Sequence, residues 1–129
     1  VMRYLKTKFF ARWARKTDIS DILLRNAIRE FKQGLYDANL GHYLFKKRIP
    51  LHGRGKKGGA RTILFYQEGE KLIFCFGFAK NVKDDLDDDD KRLLRKLSET
   101  LLLFSADDIN KNIKVGELIE IEEVNSHEK

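Results

Sequence analysis

The sequence is poor in the residues that build covalent or metal-held scaffolds. Of its 129 residues one is cysteine, Cys75, so no internal disulfide framework forms, and one thiol cannot complete a typical zinc site. Its three histidines, His42, His52 and His127, show no metal-ligand spacing. Its one proline, Pro50, leaves no proline-rich linker, and no internal repeat is present. The longest apolar runs, "ILFY" and "LLLF", fall far short of the roughly 18 residues of a membrane span. The opening "VMRYLKTKFF" lacks the apolar stretch and cleavage site of a secretory signal. No G-x-S-x-G nucleophile motif occurs. These absences lead us to expect a cytoplasmic protein with no membrane association, no cofactor and no metal.

Acid is also missing where base is dense. Lys46, Lys47, Arg48, Arg54, Lys56, Lys57 and Arg61 fall within 46–61, a stretch without a carboxylate. The net charge of +6 divides into 18 − 6 = +12 over residues 1–80 and 8 − 14 = −6 over 81–129. A basic block of this kind suits a polyanion. The length fits one domain, 1–129, with a basic part over 1–80 and an acidic helical extension over 84–129.

The periodicity predicts mixed structure. "MRYLKT" reads as a first strand, "KFFARWARK" as a helix, and Ser20 as the N-cap of a second helix that Gly34 ends. Ile22, Leu23, Ala27, Ile28 and Phe31 form its predicted apolar stripe. "YLFKKRIPL" mixes apolar and basic residues up to Pro50, and strand alternation puts Lys46 and Arg48 on one face. "ARTILFYQ" and "KLIFCFGF", joined by "EGE", read as a hairpin. "DDLDDDDKRLLRKLSETLLLF" returns to helical spacing through Leu86, Leu93, Leu94, Leu97 and Leu101. Ser105 caps a short helix, and "GELIEIEE" reads as a last strand.

Two motifs fail on inspection. Gly53-x-Gly55-x-x-Gly58 matches a dinucleotide fingerprint, but a strand follows it where a helix is required. Counted from Asp85, a calcium loop needs Gly and Glu where Asp90 and Lys96 stand. The glycine cluster reads either as a plain flexible connection between two strands or as a backbone able to approach a phosphate closely, beside Arg54, Lys56 and Lys57.

The elements "LKTKFFARWARK", the Asp37-Ala-Asn-Leu-Gly41 turn, Lys46-x-Arg48, Gly-x-Gly-Lys-x-Gly-Gly-x-Arg61-Thr, Phe-Gly-Phe-Ala-Lys80-Asn81 and "GELIEI" together resemble the RelE/HigB type of toxin in bacterial type II toxin–antitoxin modules. The resemblance runs over about residues 3–121. Lys57 departs from it, standing where the pattern has Ser. The resemblance implies an α+β fold, with two N-terminal helices on a curved, mostly antiparallel sheet and C-terminal helices after it. It also implies endoribonuclease activity on messenger RNA in the ribosomal A site. The implied partner is a cognate antitoxin, of helix-turn-helix, HigA-like type.

Such cleavage needs a base for the 2′-hydroxyl, charge on the phosphorane, and an acid for the leaving oxygen. Arg61 is the expected phosphate clamp, with Lys80, Lys46 and Arg48 joining it as catalytic candidates. Arg54, Lys56, Lys57, Lys47 and Asn81 are the expected RNA contacts. Tyr43 and Tyr66 are lesser candidates for proton transfer. A ParE-like gyrase inhibitor and a nonenzymatic RNA- or ribosome-binding module are the alternatives that the basic loop also permits.

Overall fold

The computed structural model describes residues 2–51 and 59–122. The chain begins with strand β1 (Arg3–Thr7) and passes directly into α1 (Lys8–Lys16), whose first turn is capped by the Thr7 hydroxyl accepting from the Phe10 amide. Ser20 caps α2 (Asp21–Lys32) in the same way, accepting from Leu23, with Asp21 in the first turn where it meets the positive end of the helix dipole. Gly34 takes a left-handed φ of 88° and ends the helix. Four strands follow: β2 (Ala38–Gly41), β3 (Leu44–Ile49), β4 (Ala60–Gln67) and β5 (Lys71–Ala79). The chain then forms α3 (Asp88–Leu102), α4 (Ala106–Lys114) and β6 (Leu118–Glu120). Asp87 and Ser105 head α3 and α4 with complete capping boxes.

The strands form one sheet in the order β2-β3-β4-β5-β1-β6. Every neighbouring pair is antiparallel except β1 with β5. The fold is therefore α+β with a mostly antiparallel sheet, as expected. Helices cover both faces. On one face α1 and α2 bury Phe10, Ala14, Leu24, Ala27, Ile28 and Phe31 against Leu64, Leu72 and Phe74. On the other, α3 and α4 bury Leu94, Leu101 and Ile109 against Leu44, Ile63, Phe65 and Ile73. Complete burial of side chains of this size contributes about 1.5–3 kcal/mol each.

A bulge in β5 sets which side chains meet. Ile63 pairs with Phe76 but Leu64 pairs with Phe74, so Cys75 is the extra residue. Unbroken alternation from Phe74 would send positions 76 and 78 to the α1–α2 face. The bulge returns Phe76 and Phe78 to the α3–α4 face instead. It also leaves Gly77 beneath α1, where the Trp13 ring lies so close that a Cβ on Gly77 would come within 2.2 Å of it. Cys75 is buried as expected, and burial pushes its thiol pKa up to about 12.

Several details differ from the sequence reading. Ala38–Gly41, read as a turn, is an edge strand on β3. Its weak propensity concealed it; pairing across the tight turn supplies what the residues do not. Ile22 is 61% exposed and Leu24 replaces it in the α2 stripe. Leu86 precedes α3 rather than belonging to it, because Asp87 is the cap. Lys71 is fully buried at the start of β5, where its Nζ donates to Gln67 Oε1 at 2.8 Å and to the Phe104 carbonyl at 3.0 Å. Those two acceptors satisfy an ammonium whose pKa burial lowers.

Candidate active site on the sheet face

Strand register assembles the predicted cations. Arg48 stands directly opposite Arg61 in the β3–β4 ladder, and Lys46 stands opposite Ile63. Leu44, Ile63 and Phe65 pack toward α3 and α4, so alternation sends Lys46, Arg48 and Arg61 to that same face. Arg61 also pairs with Phe78 across the β4–β5 ladder. Ala79, the last residue of β5, pairs with Ala60, so Lys80 and Asn81 follow at the same end of the sheet and are exposed. Arg48, Arg61 and Lys80 thus lie toward one end of the sheet, with Lys46 two positions further in on the same face of β3. Gly59 lies under Arg48, and a Cβ there would stand 3.1 Å from the Arg48 Nε.

Two carboxylates that the sequence reading gave no role enter this cluster. Asp85, in the connection between β5 and α3, brings Oδ1 to 3.3 Å and Oδ2 to 3.4 Å from Lys46 Nζ. Its Oδ1 also accepts from the Leu86 amide at 2.8 Å. That amide first, and Lys46 after it, hold its carboxyl below the usual range. Asp37, just before β2, places Oδ2 4.0 Å from Arg61 Nε. The cations are the enclosed partners: the Lys46 and Arg61 side chains are 20% and 17% exposed, against 61% for Asp85 and 38% for Asp37. Arg61 Nη1 is buried with no hydrogen-bond partner. The arrangement is two largely enclosed cations, Lys46 and Arg61, each facing a more exposed carboxylate, with Arg48 and Lys80 exposed beside them and one Arg61 guanidinium nitrogen left for an acceptor.

Other candidates lie elsewhere. Lys47 alternates to the α1–α2 face, is buried, and donates from Nζ to Glu30 Oε1 at 2.7 Å. Tyr66 also faces that way, in edge contact with Phe31 at 4.9 Å between ring centroids. Burial first, and the Glu68 charge second, raise its pKa. Tyr43, at the β2–β3 turn, is exposed and lies 5.8 Å from the Phe65 ring. Arg54, Lys56 and Lys57 lie outside the described residues, as does His52. No group of three or more His, Cys, Asp or Glu among the described residues could hold a metal ion.

The family model of the RelE toxin of the RelE / RelB toxin-antitoxin system matches residues 2–121. The chain belongs to the RelE toxin family. It is therefore a toxin of a toxin–antitoxin system, with an antitoxin as its partner. RelE toxins are generally endoribonucleases, which supports an enzyme. No curated protein matches the chain. No helix among the described residues is long and apolar enough to cross a membrane.

Proposed function

We propose that this RelE-family toxin is an endoribonuclease that cuts messenger RNA on the ribosome, with the Lys46–Arg48–Arg61 face as its phosphate site. The observation that carries this reading is the orphaned, buried Nη1 of Arg61 within a row of cations on one sheet face. A guanidinium grips a phosphate through parallel hydrogen bonds, and a partly desolvated one does so more strongly than one in water.

In this reading the ribose 2′-oxygen attacks the adjacent phosphorus and the bond to the 5′-oxygen breaks. The products are a 2′,3′-cyclic phosphate and a free 5′-hydroxyl. Arg61 and Lys46 stabilise the charge that develops on the phosphorane oxygens. Lys80, at the exposed end of β5, takes part in proton transfer. Asp85 remains ionised at neutral pH and serves as a counter-ion to Lys46 rather than as an acid. The toxin acts in the cytoplasm, on the message in the ribosomal A site, until a helix-turn-helix antitoxin neutralises it.

The test uses translating ribosomes and a message with a 2′-deoxy sugar at the cleaved position. The normal message should yield fragments ending in a cyclic or 3′-phosphate, while the deoxy message binds and survives. Cutting of the deoxy message at the normal rate defeats the mechanism. Binding without cutting of either message transfers the case to a nonenzymatic RNA- or ribosome-binding module.

A further inference from the structure

Beside the cation row lies a second basic feature on elements far apart in sequence. The β2–β3 hairpin turns through His42 and Tyr43, which take left-handed φ angles of 55° and 65°. Positive φ at both central residues is the geometry of a tight hairpin turn whose twist matches its strands. The turn sets His42 against α3, across a cleft of about 250 Å³. Leu44, Leu86 and Leu94, all buried, form its apolar lining, with Leu40 also at its wall. Lys91 and Arg95 border it from α3.

These two cations are one helical turn apart, a spacing at which like charges disfavour the helix. Neither side chain makes a hydrogen bond or ion pair among the described residues, whereas Arg92 on the same helix pairs with Asp89 at 2.8 Å. Two of the cleft's lining residues neighbour the Lys46 site along the chain. Leu44 is two positions from Lys46 on the same face of β3, and Leu86 follows Asp85 directly. Lys91 also acts electrostatically on Asp85. Asp85 thus stands between the Lys46 site and the cleft.

We propose that this cleft is a subsite for an RNA nucleotide flanking the scissile one, with its base on the leucines and its phosphate on Lys91 and Arg95. The inference rests on the endoribonuclease reading and extends it along the message. The chemistry fits: an apolar wall accepts the face of any base, and cations beside it track the backbone. Pockets for whole small ligands run to about 300–1,000 Å³, so this volume suits a single base better than a complete cofactor. His42 sits within the same wall, where its ring can border the base or its ribose.

The test is fluorescence anisotropy with two labelled, single-stranded RNA probes carrying a 2′-deoxy sugar at the scissile position. One is a dinucleotide spanning only the scissile phosphate, and the other is a hexanucleotide. Lys91→Gln with Arg95→Gln should weaken hexanucleotide binding about 10-fold and lower its salt slope by about 0.7, for the one phosphate the pair holds. Dinucleotide affinity should not change, whereas Arg61→Met should weaken both probes. Circular dichroism of the double variant should match the wild type, since both positions are exposed and Gln favours helix.

Equal losses on the two probes, or none on either, overturn the subsite. So does a wild-type protein that binds no hexanucleotide. If the double variant loses only ribosome affinity, the cations contact ribosomal RNA and the message subsite is wrong. A wild-type protein that binds the hexanucleotide with the expected selectivity but never cuts message refutes the endoribonuclease reading and leaves the subsite standing.

Discussion

Arg61 on β4 lies directly across the ladder from Arg48 on β3, so two guanidinium side chains leave neighbouring positions on one face of the sheet. Like charges directly opposite each other destabilise a strand pair by about 0.2–1 kcal/mol. Here the enclosure of Arg61, with Nη1 unpartnered, adds a desolvation cost. Asp37 relieves it only in part, at 4.0 Å from Nε. A fold under selection for stability alone has no use for this pair; a site for a polyanion does.

The first prediction follows from that conflict. Arg61→Met keeps the buried stem and removes the charge. It should raise stability by about 1 kcal/mol, read from the urea midpoint. It should also relieve the growth arrest caused by expressing the toxin without its antitoxin. A stable, folded variant that arrests growth as strongly as wild type would show that Arg61 is not the phosphate clamp.

Lys47 provides the contrast, because it was expected to touch RNA and instead lies on the opposite face against Glu30. Lys47→Met should change stability by less than about 1 kcal/mol, since apolar replacement of an enclosed ion-pair member is often neutral. Glu30→Ala should cost more, about 1–2 kcal/mol, because it leaves the ammonium enclosed without its partner. Neither should alter RNA affinity or its salt dependence. A flattened salt slope in Lys47→Met would restore Lys47 to the interface.

Gly77 tests the packing that the bulge creates. Gly77→Ala drives a methyl into the Trp13 ring, where the contacts would be 2.2–2.6 Å. The cost should be about 1–3 kcal/mol, typical of overpacking. Trp13 is the single tryptophan, so its emission reports the displacement directly. Unchanged emission with unchanged thermal midpoint would mean that α1 adjusts freely over β5.

The elements were legible because their signals are local. Ser20 and Ser105 announced helix starts through hydroxyl caps, and "EGE" announced the β4–β5 turn, with Gly69 at a φ of 78°. Alternation placed Lys46 and Arg48 on one face, as the structure has them, whereas the same rule could not say which sheet face, theirs or that of Lys47, turns toward α1 and α2. The Cys75 bulge leaves no mark in "KLIFCFGF", yet it decides the facing of Phe76, Gly77 and Phe78. Asp85 read as one more acid in a helix-leading run, and Asp37 as part of a turn. Their pairing with Lys46 and Arg61 depends on tertiary contacts up to 39 positions apart, which periodicity does not record. The same holds for His42, Lys91 and Arg95, brought together by a hairpin and a helix.

Asp85 gives the last prediction, on pH and on charge. Its folded pKa lies below the ordinary carboxyl value of 3.8, through the Leu86 amide and then Lys46. The unfolded state therefore binds the proton more readily, and stability falls with acid. The contribution is complete above pH 3.8 and is lost as pH drops through the lower folded value. Asp87 and Asp108 share this sign, each held low first by the backbone amide it caps. Asp85→Asn should make the acid limb of urea stability shallower below pH 3.8 without moving the limb above it. At neutral pH the same variant removes the counter-ion from Lys46, so RNA affinity should rise and its salt slope should steepen. Weaker RNA binding by a folded Asp85→Asn would show that the carboxylate positions Lys46 for its ligand rather than competing with the phosphate.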